Sequence, residues 1–428
     1  MVSLLFILLL GVMSIGTPVA FAIMLASFLY FILSADVPSM IFVQRIAAGL
    51  DSFPLLAVPF FVLTGTAMSR GGIAARLFGL ADSLVGHMRG GLGQVNVLQS
   101  LFIGGMCGSS NADAAIDSKT IVPIMVRHNY GKGFSSAVTA ASSIITTIIP
   151  PGLALVIYGL QADTSIGRLF IGGIVPGFIM AAALMVVVSI ISKRRGYGST
   201  RQSRMPWKDV LHYVRQSTWA LLMPVLLIGG LRMGVFTPTE LGAIAALYAL
   251  FVGVVIYKEI KISEITSVLV EASLSTAVIM LILASASALS YVITWEDIPQ
   301  TVIKSLLGVS QNPYVILMVV NIALLIMGTM FEATSLLVIL TPILAPMMQQ
   351  LGVDLVQFGI VLVINLCVGA ITPPVGTVLY TVCSITGSTV SDFTRNLIPF
   401  LIALLVVIAL VTYIPGIVLF LPNLIMGP

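Results

Sequence analysis

Charge is what this sequence lacks most. Only 8% of its 428 residues are charged, whereas 58% are hydrophobic, and the mean hydropathy is +1.13. Soluble domains carry about a quarter charged residues. The shortage of charge excludes an ordinary soluble fold. Together with recurring apolar stretches of about 20 residues, it predicts an all-α polytopic membrane protein.

Cysteine and histidine are also scarce. The three cysteines form no CxxC pair and lie in apolar stretches, so we expect them to be small packing residues. The three histidines, His87, His128 and His212, are far apart and fall in polar connectors. This distribution excludes a transition-metal site built from cysteine and histidine ligands.

The motifs of an intramembrane enzyme or an ATP-driven pump are missing too. The sequence contains no HExxH, no GxSxG, no paired GxGD-type aspartates and no GxxxxGK(S/T). We therefore predict that the protein is not an enzyme. The net charge of +4 comes from basic residues in loops, which indicates orientation in a membrane rather than nucleic-acid binding.

The most informative phrase that is present occurs twice, as Pro150-Pro151 and as Pro373-Pro374, each within a long stretch that has no charge. A proline pair removes two backbone donors and disfavours helical geometry in the residue before each proline. A membrane helix must therefore break at both places. Breaks at membrane depth are tolerated where they line a cavity or an ion site.

Two further segments, at about 92–128 and about 313–350, predict re-entrant helical hairpins. In each, two apolar arms flank a short region that is rich in glycine and small polar residues, at 104–111 and 328–334. Each arm is about half a membrane thickness long at about 1.5 Å per residue. The tips of both hairpins are therefore expected near the membrane midplane.

The order of these features indicates an inverted repeat. The two proline pairs occupy equivalent positions in the two halves of the chain, and so do Thr17-Pro18 and Thr237-Pro238. Basic residues predict a cytoplasmic linker at 193–216, and counting spans from it gives the hairpins opposite orientations. The predicted repeats are 1–192, with a broken helix at about 132–160, and 217–428, with one at about 355–385. Residues 2–33 would cross the membrane once or twice.

Side chains at the tips and breaks suit a site for small ions. Helix N-termini favour a carboxylate, and carbonyls at helix C-termini favour Na⁺. Glu332, an acid at membrane depth, has a structural role or binds a cation. Asp113 and Asp117, one helical turn apart, form a local cluster with Lys119, or Asp113 contacts a cation or the substrate.

The motifs G-S-S-N-A-D, I-P-P-G, F-E-A-T and I-T-P-P-V-G, which begin at Gly108, Ile149, Phe331 and Ile371, resemble the large membrane subunit of TRAP (tripartite ATP-independent periplasmic) transporters. The resemblance covers essentially the whole chain. It implies Na⁺-coupled import of an organic acid, of the C4-dicarboxylate, sugar-acid or sialic-acid type, by an elevator in the bacterial inner membrane. It also implies two partners, a small four-helix membrane subunit on a separate chain and a periplasmic substrate-binding protein.

The resemblance also places the ligands. The first Na⁺ site would use Gly108, Ser110, Asn111, Ile149 and Gly152. The second would use Gly328, Thr329, Glu332, Thr372 and Val375. The substrate carboxylate would lie between the two tips, at Ser109, Asn111, Asp113, Pro151, Thr334 and Pro374.

One alternative function remains open at this point. A stand-alone ion or anion transporter, or a cation/proton antiporter, can share the two-hairpin layout and would transport without a binding protein. The charge-free broken helices argue mildly against it, because proton coupling usually needs acids within the membrane.

Overall fold

A computed structural model describes residues 2–34, 37–232, 236–309 and 312–427, and in this part of the chain all regular structure is helical. The α-helices are α1 Val2–Ser14, α2 Val19–Leu33, α3 Met40–Ala48, α4 Ala57–Arg70, α5 Ile73–Val85, α6 Gly91–Cys107, α7 Ser110–Arg127, α8 Lys132–Ser143, α9 Leu153–Gln161, α10 Ile166–Arg195, α11 Trp207–Arg232, α12 Pro238–Phe251, α13 Ile265–Trp295, α14 Ile298–Val309, α15 Pro313–Met330, α16 Ala333–Gln350, α17 Leu355–Ala370, α18 Thr377–Thr386, α19 Val390–Tyr413 and α20 Pro415–Met426. Short 3₁₀ turns lie at Phe53–Leu56, Ile144–Thr147 and Ile262–Glu264, and a π-helical turn lies at Val252–Ile256.

Within the described residues, eight helical stretches are long and apolar enough to cross a membrane. They are Phe53–Arg70, Ile166–Arg195, Trp207–Arg232, Pro238–Ile256, Ile262–Trp295, Pro313–Met330, Ala333–Gln350 and Val390–Tyr413. A helix of about 20 residues matches the thickness of a bilayer core. The prediction of an all-α polytopic membrane protein is confirmed.

The N-terminal stretch 2–33 forms two helices rather than one. Gly16 adopts a φ of +87°, and Pro18 caps α2. A left-handed glycine followed by a proline ends one helix and begins the next, because neither residue continues the α-helical hydrogen-bond pattern. The helix α2, together with α3 and α4, packs on α13, and α12 packs on α4.

The centre of the molecule is formed by α8 and α17, the two helices that lead into the proline pairs. Every residue of α8 from Gly133 to Ser143 and of α17 from Val356 to Ala370 is buried. The helices α6 and α7 pack on α8, and α15 and α16 pack on α17. Helices of the two halves also pack against each other: α7 packs against α18, and α16 packs against α9.

The basic segment predicted as a linker at 193–216 is mostly helical. The helix α10 continues to Arg195 and α11 already begins at Trp207, because neither segment contains an early helix breaker. The connector between them is fixed to α5. Arg201 forms an ion pair with Asp82 at 2.7 Å, and the Thr200 backbone N–H donates to the Gly86 carbonyl at 2.9 Å.

The close approach of α15 and α17 generates a stability prediction. A Cβ atom on Gly369 would lie 2.5 Å from backbone atoms of Gly328, which cannot move as a flexible side chain does. We expect Gly369→Ala to destabilise the protein by roughly 1–3 kcal/mol, the usual range for overpacking. The measurement is thermal unfolding of the purified protein in detergent.

The matched control is Gly229→Ala in α11, where a Cβ atom would meet nothing within 4 Å. It is expected to leave stability unchanged or raise it by up to ~1 kcal/mol, because alanine favours helix more than glycine does. Equal unfolding temperatures for the two variants would contradict the proposed steric contact.

Candidate functional site

The two proline pairs lie at helix breaks. In the first half, α8 passes into the 3₁₀ turn Ile144–Thr147, and a new helix, α9, starts at Leu153. In the second half, α17 ends at Ala370 and α18 starts at Thr377. The Pro150–Pro151 and Pro373–Pro374 peptide bonds are both cis. Each break therefore leaves one helix C-terminus and one helix N-terminus inside the protein.

The tip between α6 and α7 contacts the first break, and the tip between α15 and α16 contacts the second break. Gly108, between α6 and α7, accepts a hydrogen bond at its carbonyl from the Leu153 N–H at 3.3 Å. Thr329, at the end of α15, accepts two at its carbonyl from the N–H groups of Val375 and Gly376, both at 3.0 Å. Main-chain hydrogen bonds thus join tip and break in both halves.

Gly108 has no room for a side chain. Its φ is +61°, a left-handed conformation that glycine adopts at little cost, and a Cβ atom would lie 2.2 Å from the Pro151 carbonyl oxygen. The first tip can approach the first break this closely only because residue 108 is glycine.

A cavity of about 60 Å³ lies between the two tips. It is lined by Gly108, Ser109, Ser110, Asn111, Thr147, Leu153, Ala154, Glu332, Ala333, Thr334, Leu337, Val363, Leu366, Cys367, Ala370 and Thr377. Four helices begin in this lining: α7, α9, α16 and α18, at Ser110, Leu153, Ala333 and Thr377. First-turn backbone N–H groups, which have no intrahelical acceptor, and the positive ends of helix dipoles therefore converge on one small volume, an arrangement that favours an anion.

Helix C-terminal ends reach the same cavity. Ala370 is the last residue of α17, and Thr147 is the last residue of the 3₁₀ turn after α8. Carbonyl groups at such ends lack intrahelical donors and are suitable ligands for a hard cation. The cavity thus offers donors for an anion and oxygen acceptors for a cation side by side.

Two side chains cap the helices that begin at the tips. The Ser109 Oγ accepts from the Ala112 N–H at 3.4 Å, and the Glu332 Oε2 accepts from the Ser335 N–H at 2.8 Å and from the Ser335 hydroxyl at 3.0 Å. Glu332 is therefore a helix N-cap, where a carboxylate also interacts favourably with the helix dipole.

Two buried oxygens in the cavity lining have no hydrogen-bond partner within the described ranges: Asn111 Oδ1 and Thr377 Oγ1. Buried polar atoms in proteins are almost always satisfied, so an open acceptor marks a place for a ligand, an ion or a water. Amide and hydroxyl oxygens are hard donors, so this set fits Na⁺.

The cavity brings some predicted site residues together and leaves others outside. Gly108, Ser109, Ser110, Asn111, Glu332 and Thr334 line it. Ile149, Pro151, Gly152, Gly328, Thr329, Thr372, Pro374 and Val375 do not, although they form or flank the tips and breaks. Asp113 is fully buried and also lies outside the lining. These ligand assignments stay predictions.

Among the side chains of the lining that carry a polar or sulfur atom, the sequence-based prediction missed three: Thr147, Cys367 and Thr377. Thr147 ends the helical turn before the first break, and Thr377 begins the helix after the second. Their positions beside the proline pairs were a readable signal. Cys367, expected as a packing residue, is buried in the cavity lining.

A larger cleft of about 610 Å³ lies elsewhere, between α3, the end of α9 and α13. Its polar lining includes Arg45, Gln161, Ser287 and Thr294, and Arg45 stacks over the Tyr291 ring at 4.5 Å. Neither proline pair contributes to it. We assign the central chemistry to the smaller cavity because, among the residues that the structure describes, helix ends, unpartnered oxygens and both tips meet only there.

Comparison with solved structures identifies the fold. The fold is similar to that of the YdaH transporter of Alcanivorax borkumensis, with a TM-score of 0.65 over 92% of this chain and 91% of that one. The sequences are only 14% identical, so the likeness concerns the fold alone. The protein thus has the fold of a polytopic membrane transporter.

Sequence comparison then gives the family. Residues 6–417 match the profile of the tripartite ATP-independent periplasmic transporter, DctM component, and the chain belongs to this family of transporter permeases. It is 38% identical over 418 residues to the sialic acid TRAP transporter large permease protein SiaM of Vibrio cholerae, covering 98% of this chain and 97% of that protein. It is also 38% identical to the C4-dicarboxylate TRAP transporter large permease protein DctM of Pseudomonas aeruginosa, over 87% of each chain. The family is one of transporters, not enzymes.

Some relatives are longer. The chain is 36% identical to the isethionate TRAP transporter permease protein DctMQ of Oleidesulfovibrio alaskensis, but its match spans only 64% of that protein.

The cap on α16 generates a prediction. Glu332→Ala removes the acceptor for the Ser335 N–H and is expected to lower stability by about 1 kcal/mol, a usual value for a lost N-cap. Glu332→Ser keeps a capping oxygen and should recover most of that stability. Thermal unfolding of both variants against the unmodified protein checks this. Full stability of the alanine variant would show that the cap contributes nothing.

Proposed function

We propose that this permease imports an organic acid across the bacterial inner membrane by Na⁺-coupled symport. The observation that carries the proposal is the meeting of four helix N-termini and two helix C-terminal ends at one central cavity. N-terminal N–H groups bind a carboxylate, and C-terminal carbonyls bind a cation. Placing both in one cavity links binding of the anion to binding of the ion.

The substrate is proposed to carry a carboxylate that lies between the two tips. The printed names of relatives refer to sialic acid, C4-dicarboxylate and 2,3-diketo-L-gulonate, all of them organic acids. No basic side chain lines the cavity within the described part of the chain. The anion would therefore be held by backbone N–H groups, with Ser109 and Thr334 beside it.

Na⁺ fits the unpartnered oxygens. In the first half, Gly108, Ser110 and Asn111 would bind it, with the carbonyls near Ile149 and Gly152. In the second half, Thr377 joins the predicted residues Gly328, Thr329, Glu332, Thr372 and Val375. Bound Na⁺ supplies positive charge beside the carboxylate, so that its presence strengthens binding of the acid. The residues' own part is to hold oxygens around the cavity.

An inverted repeat that moves as an elevator is the proposed architecture. Two features support it. In the first half Asn96 of α6 donates to Thr139 of α8 at 2.7 Å, and in the second half Asn365 of α17 donates to Asn321 of α15 at 3.0 Å. The same pair of elements is thus joined by a buried amide in each half. In addition, the crossed packing of α7 on α18 and of α16 on α9 binds the two tips and the two breaks into one unit, as a mobile transport domain requires.

The proposed partners are a small four-helix membrane subunit and a periplasmic substrate-binding protein. The longer DctMQ and SiaT relatives, of which this chain matches 64% and 67%, contain sequence beyond the part matched here. The SiaM relative is covered over 97% of its length and is called a large permease. We propose that this chain likewise works with its small subunit as a separate polypeptide.

The function is tested by reconstitution with both partners in proteoliposomes. We expect uptake of a labelled acid, with sialic acid and a C4-dicarboxylate as the first probes, only when an inward Na⁺ gradient is imposed. An equal K⁺ gradient is the control. Equal uptake with a K⁺ gradient would refute the proposed Na⁺ coupling. Full uptake without the binding protein would favour a stand-alone transporter.

The cation ligands are tested one half at a time. Asn111→Ala and Thr377→Val each remove an unpartnered oxygen from the cavity, and each is expected to raise the Na⁺ concentration for half-maximal uptake several-fold. The matched controls are Thr120→Ala, exposed on α7, and Thr381→Val, one turn along α18 and outside the cavity lining. Unchanged Na⁺ dependence in both cavity variants would remove these two residues from the site.

A further inference from the structure

Two acidic side chains on α7, Asp113 and Asp117, are completely buried. They lie one helical turn apart, so their carboxylates are neighbours. Removing a carboxylate from water costs several kcal/mol even after the protein relaxes, and two adjacent ones also repel each other. Something must compensate this pair.

The described residues offer almost no compensation. None of the three ion pairs they form includes Asp113 or Asp117, and Lys119, the nearest lysine in sequence, is exposed. The Ser100 hydroxyl donates to Ser142 at 3.0 Å and not to Asp113. Both Asp113 carboxylate oxygens and Asp117 Oδ2 consequently lack a donor among the described residues.

A third side chain completes the set. Gln99 of α6 is fully buried, and its Nε2 donates to Asp117 Oδ1 at 2.8 Å, which holds the amide against the carboxylate. The other end of the amide, Gln99 Oε1, has no partner in the described ranges. The cluster thus contains one satisfied carboxylate oxygen and four buried oxygens that only accept and find no donor.

We propose that Asp113, Asp117 and Gln99 form a buried Na⁺ site inside the first hairpin, separate from the cavity between the tips. It rests on the proposed function, which supplies Na⁺ as the coupling ion. The four open oxygens would be the ligands of this cation. Without a cation, all four oxygens would have a partner only if both carboxyl groups were protonated at the same time.

Such a site would stabilise the hairpin that carries the first tip. Asp113 lies within the first turn of α7, directly after the tip residues Ser109 to Asn111. A cation held between α6 and α7 at this depth fixes the two arms to each other. Na⁺ would then prepare the tip for the substrate before the ion at the tip itself is bound.

The experiment measures ²²Na⁺ bound per molecule of the purified full-length chain in nanodiscs at neutral pH, with choline keeping the ionic strength constant. Asp117→Asn is nearly isosteric and is expected to bind one Na⁺ fewer than the unmodified chain. Gln99→Met removes one ligand oxygen and keeps both acids, and is expected to weaken the same site at least tenfold. Asp209→Asn, an exposed acid at the start of α11, is the matched control and should bind as much as the unmodified chain.

The outcomes separate this inference from the proposed function. If Asp117→Asn and Gln99→Met both bind Na⁺ as the unmodified chain does, the buried site is refuted and the proposed symport is unaffected. If Asp117→Asn binds one Na⁺ fewer while Asn111→Ala binds as much as the unmodified chain, the buried site is supported and the site at the tip is refuted. Absence of any bound Na⁺ in the unmodified chain refutes both.

Two other occupants are distinguished in parallel. Loss of bound ⁴⁵Ca²⁺ in Asp117→Asn, with bound ²²Na⁺ unchanged, would overturn the assignment to Na⁺. Unchanged ²²Na⁺ binding together with fewer protons released on alkalinisation of Asp117→Asn would show that the cluster holds protons instead.

Discussion

Backbone N–H and C=O groups that a helix break leaves open within an apolar protein must find partners, and this requirement shapes the centre of the molecule. The two breaks at the proline pairs are placed where each one meets a tip. Main-chain hydrogen bonds from Leu153 to Gly108, and from Val375 and Gly376 to Thr329, satisfy part of the open groups. The groups that remain face one cavity and are free to bind ligands.

The polar side chains of the centre follow from the same constraint. Ser109 and Glu332 cap the helices that start at the tips, and Asn96 and Asn321 fix the first arm of each helix pair to a buried helix. Among the buried polar atoms that have no partner in the described residues, those on Asn111, Thr377 and the Asp113–Asp117–Gln99 cluster lie next to one another or at the cavity, and they are informative about ligands.

Part of this arrangement could be predicted from the sequence because it depends on small residues at fixed positions. Glycine at 108 and at 369 permits backbones to approach closely, and each position leaves its mark in the sequence as a small residue next to a polar tip or a proline pair. The helix ends were harder to place. The predicted linker at 193–216 proved to contain the end of α10 and the start of α11, because basic residues are compatible with helix and only their hydropathy is unfavourable in a membrane.

The sequence by itself determined that the protein is helical and membrane-embedded, that two helices break at proline pairs, and that polar residues cluster near those breaks, since all of these depend on local composition and proline chemistry. Only the tertiary structure decided which polar residues meet. It brought Thr147, Cys367 and Thr377 to the cavity and left Thr372 outside it, with its hydroxyl donating to the Val368 carbonyl at 2.8 Å. It also placed Asp113 inside the first hairpin, away from the cavity. Such choices depend on helix rotation and on contacts between residues more than 200 positions apart, and no local pattern in the chain specifies either of them.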